Sequence, residues 1–248
     1  MADLKGKTAL VTGASRGIGT AVARRLAADG AAVIVNYVHS EAEATALVNE
    51  IVAKGGQAFA VQGDCSDLAS IDRMVSEIKG RVDSIDILVN NAGRGSQKSD
   101  MTLAGCSVEE FDALFGLNTR GLFFLTQKVL PLLRDGGRIV NFSSTAVLAR
   151  LPGLGPYAGT KAAVDAFTRA WAVELSARRI TVNSIQPGMI DTDFITRGMG
   201  DEAKVRFASR HPQGRIGTPE DMADLVALLV SDDSRWVSGE SIIAAGGV

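Results

Sequence analysis

Thr12-Gly13-Ala14-Ser15-Arg16-Gly17-Ile18-Gly19 decides how this chain is read, because of what stands on either side of it. Before it, residues 7–12 form a short apolar and β-branched run that reads as a strand. After it, from Gly17 to Ala28, apolar residues fall at helical spacing until Gly30 interrupts them. A strand that turns through glycines straight into a helix lets a ligand approach the backbone, and the helix start offers N–H groups with no intrahelical partner. A pyrophosphate fits such a turn. The G-x-x-x-G-x-G spacing is not the G-x-G-x-x-G fingerprint, and no Gly-Lys-Ser/Thr follows, which argues against a P-loop nucleotidase.

The strand-then-helix unit repeats outward from this turn. Further strands are expected over 32–37, 57–61, 85–89, 138–142, 180–185 and 240–244. Helices are expected over 41–54, from a cap at Ser66 or Asp67 to 79, through apolar positions 111, 114, 115, 122 and 125, and over 157–177 and 219–229. Strands that are apolar on both faces, rather than at every second residue, imply a parallel sheet covered on each side. The expected fold class is α/β: one Rossmann-like, doubly wound domain over 1–248, with about seven parallel strands and helices on both faces. Only the stretch from Asp191 to Gly217 lacks a strand for unusually long, and it reads as a substrate lid at about 192–215 or as a surface loop.

Composition narrows the function classes. The 248 residues are 46% hydrophobic and 22% charged, with 26 Lys plus Arg against 28 Asp plus Glu, scattered rather than blocked. That balance speaks against nucleic acid or an anionic membrane surface as a partner. Cys65 and Cys106 lack metal-ligand spacing and are too few for a disulfide framework, so no metal and a reducing compartment are expected. With no apolar run of about eighteen residues and no leader-like start, the expectation is a cytoplasmic protein. The 27 glycines are about 11% of the chain against a usual ~7%, as if backbone were brought close to something at several turns.

Two positions carry more specific chemistry. The strand over 32–37 ends in Asn36-Tyr37, where many NAD-binding sheets place an acid on the ribose 2′-hydroxyl. Here Arg16, His39 and Ser40 would instead offer a 2′-phosphate a cation and donors, which favours NADP(H); the alternative is that Arg16 and His39 are solvated surface residues. Tyr157 and Lys161 stand four apart near a helix start and share a face. A phenol, ordinarily with a pKa of about 10, becomes a usable acid or base near neutrality beside an ammonium group. Taken alone, the pair would equally suit a tyrosine packed along a lysine stem.

These stretches, with Asn90-Asn91-Ala92-Gly93, Asn118, Ser143-Ser144, Tyr157-Ala158-Gly159-Thr160-Lys161, and Pro187-Gly188 with Thr192, resemble the short-chain dehydrogenase/reductase family. The resemblance runs in order along nearly the whole chain. It implies a Ser-Tyr-Lys set assisted by an Asn, with the serine thirteen residues before the tyrosine, which selects Ser144 over Ser143. Ser144 would hold the substrate oxygen and Tyr157 would donate a proton as hydride arrives. Lys161 would lower the tyrosine pKa and bind the nicotinamide ribose, and Asn118 would hold a relay water. Gly13, Ser15, Arg16, Gly17, Ile18 and Gly19 would hold the cofactor, with Asn36, Tyr37 and Ser40 toward its 2′-phosphate. By the same resemblance Asp64 and Cys65 fall at the adenine, Asn91, Ala92 and Gly93 behind the cofactor, and Pro187, Gly188, Ile190 and Thr192 at the nicotinamide.

The resemblance further implies a homotetramer built on long helices and last strands, although Ala245 stands where relatives often carry an Asp before the paired glycines. Candidate pocket residues Ala146, Leu148, Leu151, Leu154, Met189 and Phe194 are apolar, with Arg94 beside them. The expected substrate is accordingly a ketone with a hydrophobic flank, or a 3-oxoacyl thioester, reduced with NADPH. An NAD-dependent alcohol or sugar dehydrogenase and a non-catalytic cofactor-binding regulator are the alternatives.

Overall fold

The computed structural model describes residues 3–96, 100–192 and 204–247. Seven strands, β1 (Thr8–Val11), β2 (Ala32–Tyr37), β3 (Gln57–Gln62), β4 (Ile85–Asn90), β5 (Leu133–Phe142), β6 (Thr181–Pro187) and β7 (Ser241–Ala244), form one sheet in the order β3-β2-β1-β4-β5-β6-β7. All pairings are parallel. Helices α1 (Gly17–Ala28), α2 (Glu41–Ala53), α3 (Leu68–Lys79), α4 (Val108–Phe115), α5 (Leu122–Val129), α6 (Gly155–Glu174) and α7 (Pro219–Val230) connect and cover it.

The register shows why the central strands read as unbroken apolar runs. Ile34, Leu10, Leu88, Ile139 and Val182 lie side by side across five strands and face a core built with α3, α5 and α6. One residue further along, Val35, Val11, Val89 and Val140 form a row on the other face, against α1, α2 and α7. Every one of these side chains is at most 1% exposed, so each contributes roughly 1.5–3 kcal/mol of burial. A slip of one residue in any strand would exchange the two rows.

Helix starts follow local chemistry. Asp67 caps α3 by accepting from the Ala69 and Ser70 amides, and Thr218 with Asp221 forms a reciprocal capping box on α7. After β3 the chain crosses to β4 on the far side of β1, so the strand order reverses between β1 and β4. Open α/β sheets bind ligands at the carboxyl ends of strands at such a switch point.

Two elements depart from the sequence reading. The helix expected through positions 111 to 125 is divided: Gly116–Gly121 is a π-helical segment between α4 and α5. The fifth strand starts at Leu133 rather than 138, with a register shift against β4 between Ile85 and Ile87 and Gly136 at φ 78°. Of the expected lid, residues 193–203, Phe194 included, lie outside the described residues. Its far end contains a short helix over 204–210 and returns to a parallel bridge between Ile190 and Gly217.

Candidate active site

The turn after β1 is shaped for close approach. Gly13 (φ 60°) and Gly17 (φ 54°) occupy the left-handed region that other residues avoid. A Cβ on Gly19 would stand 2.5 Å from the Gly13 carbonyl oxygen and 2.6 Å from Asn91 Nδ2. Arg16, the exposed N-cap residue of α1, makes no side-chain capping bond. The glycines let this turn pack closely on the loop after β4, and the positive end of the helix dipole, with its first N–H groups, lies at the turn. These residues fit the pyrophosphate of a dinucleotide.

Polar side chains around the turn hold its shape. Thr12 Oγ1 accepts from the Asn91 and Ala92 amides at 3.0 and 2.9 Å, while Asn91 Nδ2 donates to the carbonyls of Thr12 and Gly13 at 2.8 and 3.1 Å. Asn36 is fully buried: its Oδ1 accepts from the Gly13 amide at 3.1 Å and its Nδ2 donates to the Gly63 carbonyl at 3.0 Å.

The side chains of several residues expected at the cofactor have partners within the protein. The side chains of Asn36 and Asn91 are committed within the protein, and Tyr37 and Ile190 pack into the core against α1, α2 and α7. Cys65 lies in the opposite core, and burial beside Asp64 pushes its thiol up to about 12. These five side chains build the wall of the crevice, and what they leave toward it is backbone. Asp64 sits at the rim of that wall, accepting from the Ser66 amide and hydroxyl at 2.8 and 2.7 Å. Ser40 is the N-cap residue of α2 without a side-chain capping bond, and His39 beside it is exposed. At the other rim, Gly188 donates to the Ala244 carbonyl at 3.0 Å, and a Cβ on Gly17 would meet Thr192 Cγ2 at 3.4 Å.

The end of β5 and the first turns of α6 bring the remaining residues together. Ser144 Oγ accepts from the Ala146 amide at 3.1 Å and lies near enough to the Tyr157 phenol to favour its ionised form. Ser143, by contrast, is buried and donates to the Lys161 carbonyl at 3.1 Å, so the two adjacent serines have different work. Lys161 Nζ lies 5.8 Å from the Tyr157 ring centroid and donates to the Phe142 carbonyl at 2.8 Å. Across the crevice, a Cβ on Gly93 would come within 3.4 Å of Lys161 Nζ and 3.3 Å of Asn118 Oδ1.

Asn118 rides on the π-helical segment, a local widening often found at functional sites. Its Oδ1 accepts from the Arg94 amide at 2.9 Å, and its Nδ2 donates to the Arg94 carbonyl at 2.8 Å and to Thr160 Oγ1 at 3.2 Å. It therefore ties the loop after β4 to α6. Arg94, expected in the pocket, is held by a two-pronged pair with buried Glu110 at 3.0 Å.

Burial controls the acid–base groups. It raises the Tyr157 phenol above its ordinary value, and the nearby Ser144 hydroxyl only partly offsets that. Lys161, whose ammonium is aimed at the Phe142 carbonyl, is not among the groups that shift the phenol. Lys161 itself is lowered to about 8 by burial, with Asp165 pulling the other way. A phenol that keeps its proton at neutral pH beside a second hydroxyl is arranged to give that proton to an oxygen acquiring negative charge. Thr12 and Thr160 stood in the quoted motifs without a role, and Asp165 was missed; for Asp165 the signal was its place four residues beyond Lys161 on one helix face.

Comparison with known proteins agrees with this geometry. A family described as enoyl-(acyl carrier protein) reductase matches residues 13–248. The chain is 40% identical to the 3-oxoacyl-[acyl-carrier-protein] reductase of Staphylococcus aureus, over 98% of each chain. Among solved structures, a short-chain dehydrogenase/reductase from Serratia marcescens superposes with a TM-score of 0.92 at 33% identity, covering 99% of this chain and 98% of that one. The angucycline C-6 ketoreductase LanV with bound NADP does so with a TM-score of 0.92 at 35% identity, covering 99% and 96%. The fold and site define a nicotinamide-dependent oxidoreductase. The chain belongs to the short-chain dehydrogenase/reductase family.

Proposed function

We propose that this protein is an NADPH-dependent reductase of hydrophobic ketones, 3-oxoacyl thioesters among the candidates, with Tyr157 as the proton donor. The observation that carries the reading is the clustering of Ser144, Tyr157 and Lys161 between the end of β5 and the start of α6, at the carboxyl ends of the strands that flank the switch point. Backbone of Gly13, Ser15, Arg16, Gly17, Ile18 and Gly19 would hold the pyrophosphate, Asp64, Ala92 and Gly93 the adenosine side, and Pro187, Gly188 and Thr192 the nicotinamide. The reduced nicotinamide, when bound, supplies hydride.

Ser144 donates to the substrate carbonyl oxygen, and Tyr157 delivers its proton there as negative charge develops. Lys161 draws the phenolate that remains, and Asn118 fixes the loop that closes the far wall. NADPH is favoured over NADH by the exposed Arg16 and by the lack of a carboxylate from Asn36 to Ser40. The NADP in the LanV structure accords with that choice. A hydrophobic substrate is favoured by Leu148 and Leu151, 60% and 63% exposed on the loop that follows Ser144. The family resemblance supports a cytoplasmic homotetramer, checked by light scattering.

Fluorescence titration with NADPH and NADH, followed by a panel of apolar ketones, 3-oxoacyl thioesters and sugars, tests the reading. Tighter NADPH binding and turnover of ketones or thioesters are expected. Oxidation of sugars with NAD and no ketone reduction would overturn it.

A further inference from the structure

Two ionisable side chains lie buried on the inner face of α6: Lys161, and one helical turn later Asp165, 5% exposed. Asp165 Oδ1 accepts from Ser184 Oγ at 2.7 Å and Oδ2 accepts from Gln186 Nε2 at 2.8 Å. Since a carboxylate only accepts, Ser184 gives it its proton and in turn accepts from Ser241 Oγ, 3.0 Å away. The carboxylate is thus fixed by β6 and β7, yet among the described residues it has no cation in direct contact. Buried charge without a counter-charge is costly, so the lysine on the same face matters to it and it to the lysine.

The surroundings of Lys161 contain no rival. The Phe142 carbonyl meets it from β5, Gly93 from the loop after β4, Asn118 from the π-helical segment, and Tyr157 from its own helix. Asp165 is the one charged group acting on it among the described residues.

We propose that Asp165 is a positioning residue, a buried counter-charge held by Ser184 and Gln186 that keeps the Lys161 ammonium ionised beside Tyr157. This rests on the roles given above to Tyr157 and Lys161. Without Asp165, burial alone would act on the amine, and it would shed its proton at lower pH. A neutral amine draws a developing phenolate less, so proton delivery would fail earlier as pH rises.

Asp165→Asn preserves the shape and the bonds: its carbonyl oxygen accepts from Gln186, and its amide donates to Ser184, whose proton turns to Ser241. Two readouts separate the claims. The first uses the protein without cofactor, as unfolding stability against pH. A lysine lowered to about 8 in the fold and near 10.4 unfolded adds stability as pH rises between these values, because the unfolded chain binds more protons there. In Asp165→Asn that rise should start about one pH unit lower. The second is the alkaline limb of kcat/KM, which should move by the same amount: about fivefold slower than the parent at pH ~8, nearly equal at pH ~6. Asp165→Glu, which keeps the charge, should return both toward the parent.

An Asn variant whose stability onset and kinetic limb both stay at parental pH overturns the inference. If the onset moves and the limb does not, Asp165 acts on Lys161 but catalysis does not use that charge. The positioning role then falls together with the role assigned to Lys161. If Asp165→Asn does not fold, the Glu variant decides alone: a limb displaced to lower pH with the charge retained counts against the inference, and a parental limb supports it.

Discussion

The turn after β1 and the loop after β5 border the same crevice and are built by opposite rules. At the first, Thr12, Asn36 and Asn91 turn their polar groups onto the backbone, and what faces outward is main-chain N–H between glycines. At the second, Ser143 bonds the Lys161 carbonyl and Ser144 accepts only from the Ala146 amide, which leaves its proton and the nearby Tyr157 phenol available for reaction. A crevice that binds with backbone and reacts with side chains can lose either property separately. Deletions at the first turn should cost stability and affinity; deletions at the second should cost rate.

Ser144→Ala gives a large expected departure on the reactive side. Losing one donor to the charge-bearing oxygen should lower kcat about 10²–10³-fold, while the lost bond from the Ala146 amide should cost only about 1 kcal/mol in urea unfolding. A stability loss of the size expected at the first turn would erase the distinction between the regions.

Asn36→Leu probes the bracing side. It orphans the half-buried Gly13 amide and removes several bonds at once, so urea unfolding should show a loss of about 2–3 kcal/mol. Cofactor affinity should weaken with it, while kcat at saturating cofactor stays near the parent's. Arg16→Ala should give the smallest effect: about tenfold weaker NADPH by fluorescence titration, with NADH changed less than about twofold. Equal weakening of both would remove Arg16 from the 2′-phosphate.

Much of this was legible in the sequence, for identifiable reasons. Strands covered on both faces read as nearly unbroken apolar runs, so β1, β2 and β4 stood out. The two serines that the thirteen-residue spacing tells apart do bond differently, Ser143 to the Lys161 carbonyl and Ser144 to the Ala146 amide. Other features leave no periodic trace. Phe115 and Leu122 are seven apart, a spacing that suits a continuous helix as well as one widened at Gly116–Gly121. Residue spacing also hides which way a polar side chain points, so it did not tell that the side chains of Asn36, Tyr37 and Cys65 are buried. The raised phenol of Tyr157 escaped for a similar reason, since residue spacing reports neighbours and not desolvation.

The most direct test is to take Tyr157→Phe through NADPH titration and ketone reduction on the same preparation. The account predicts a dissociation constant within about threefold of the parent's and a kcat lower by about 10²–10⁴. Ketone reduction at the parental rate, with NADPH bound as tightly, would contradict it.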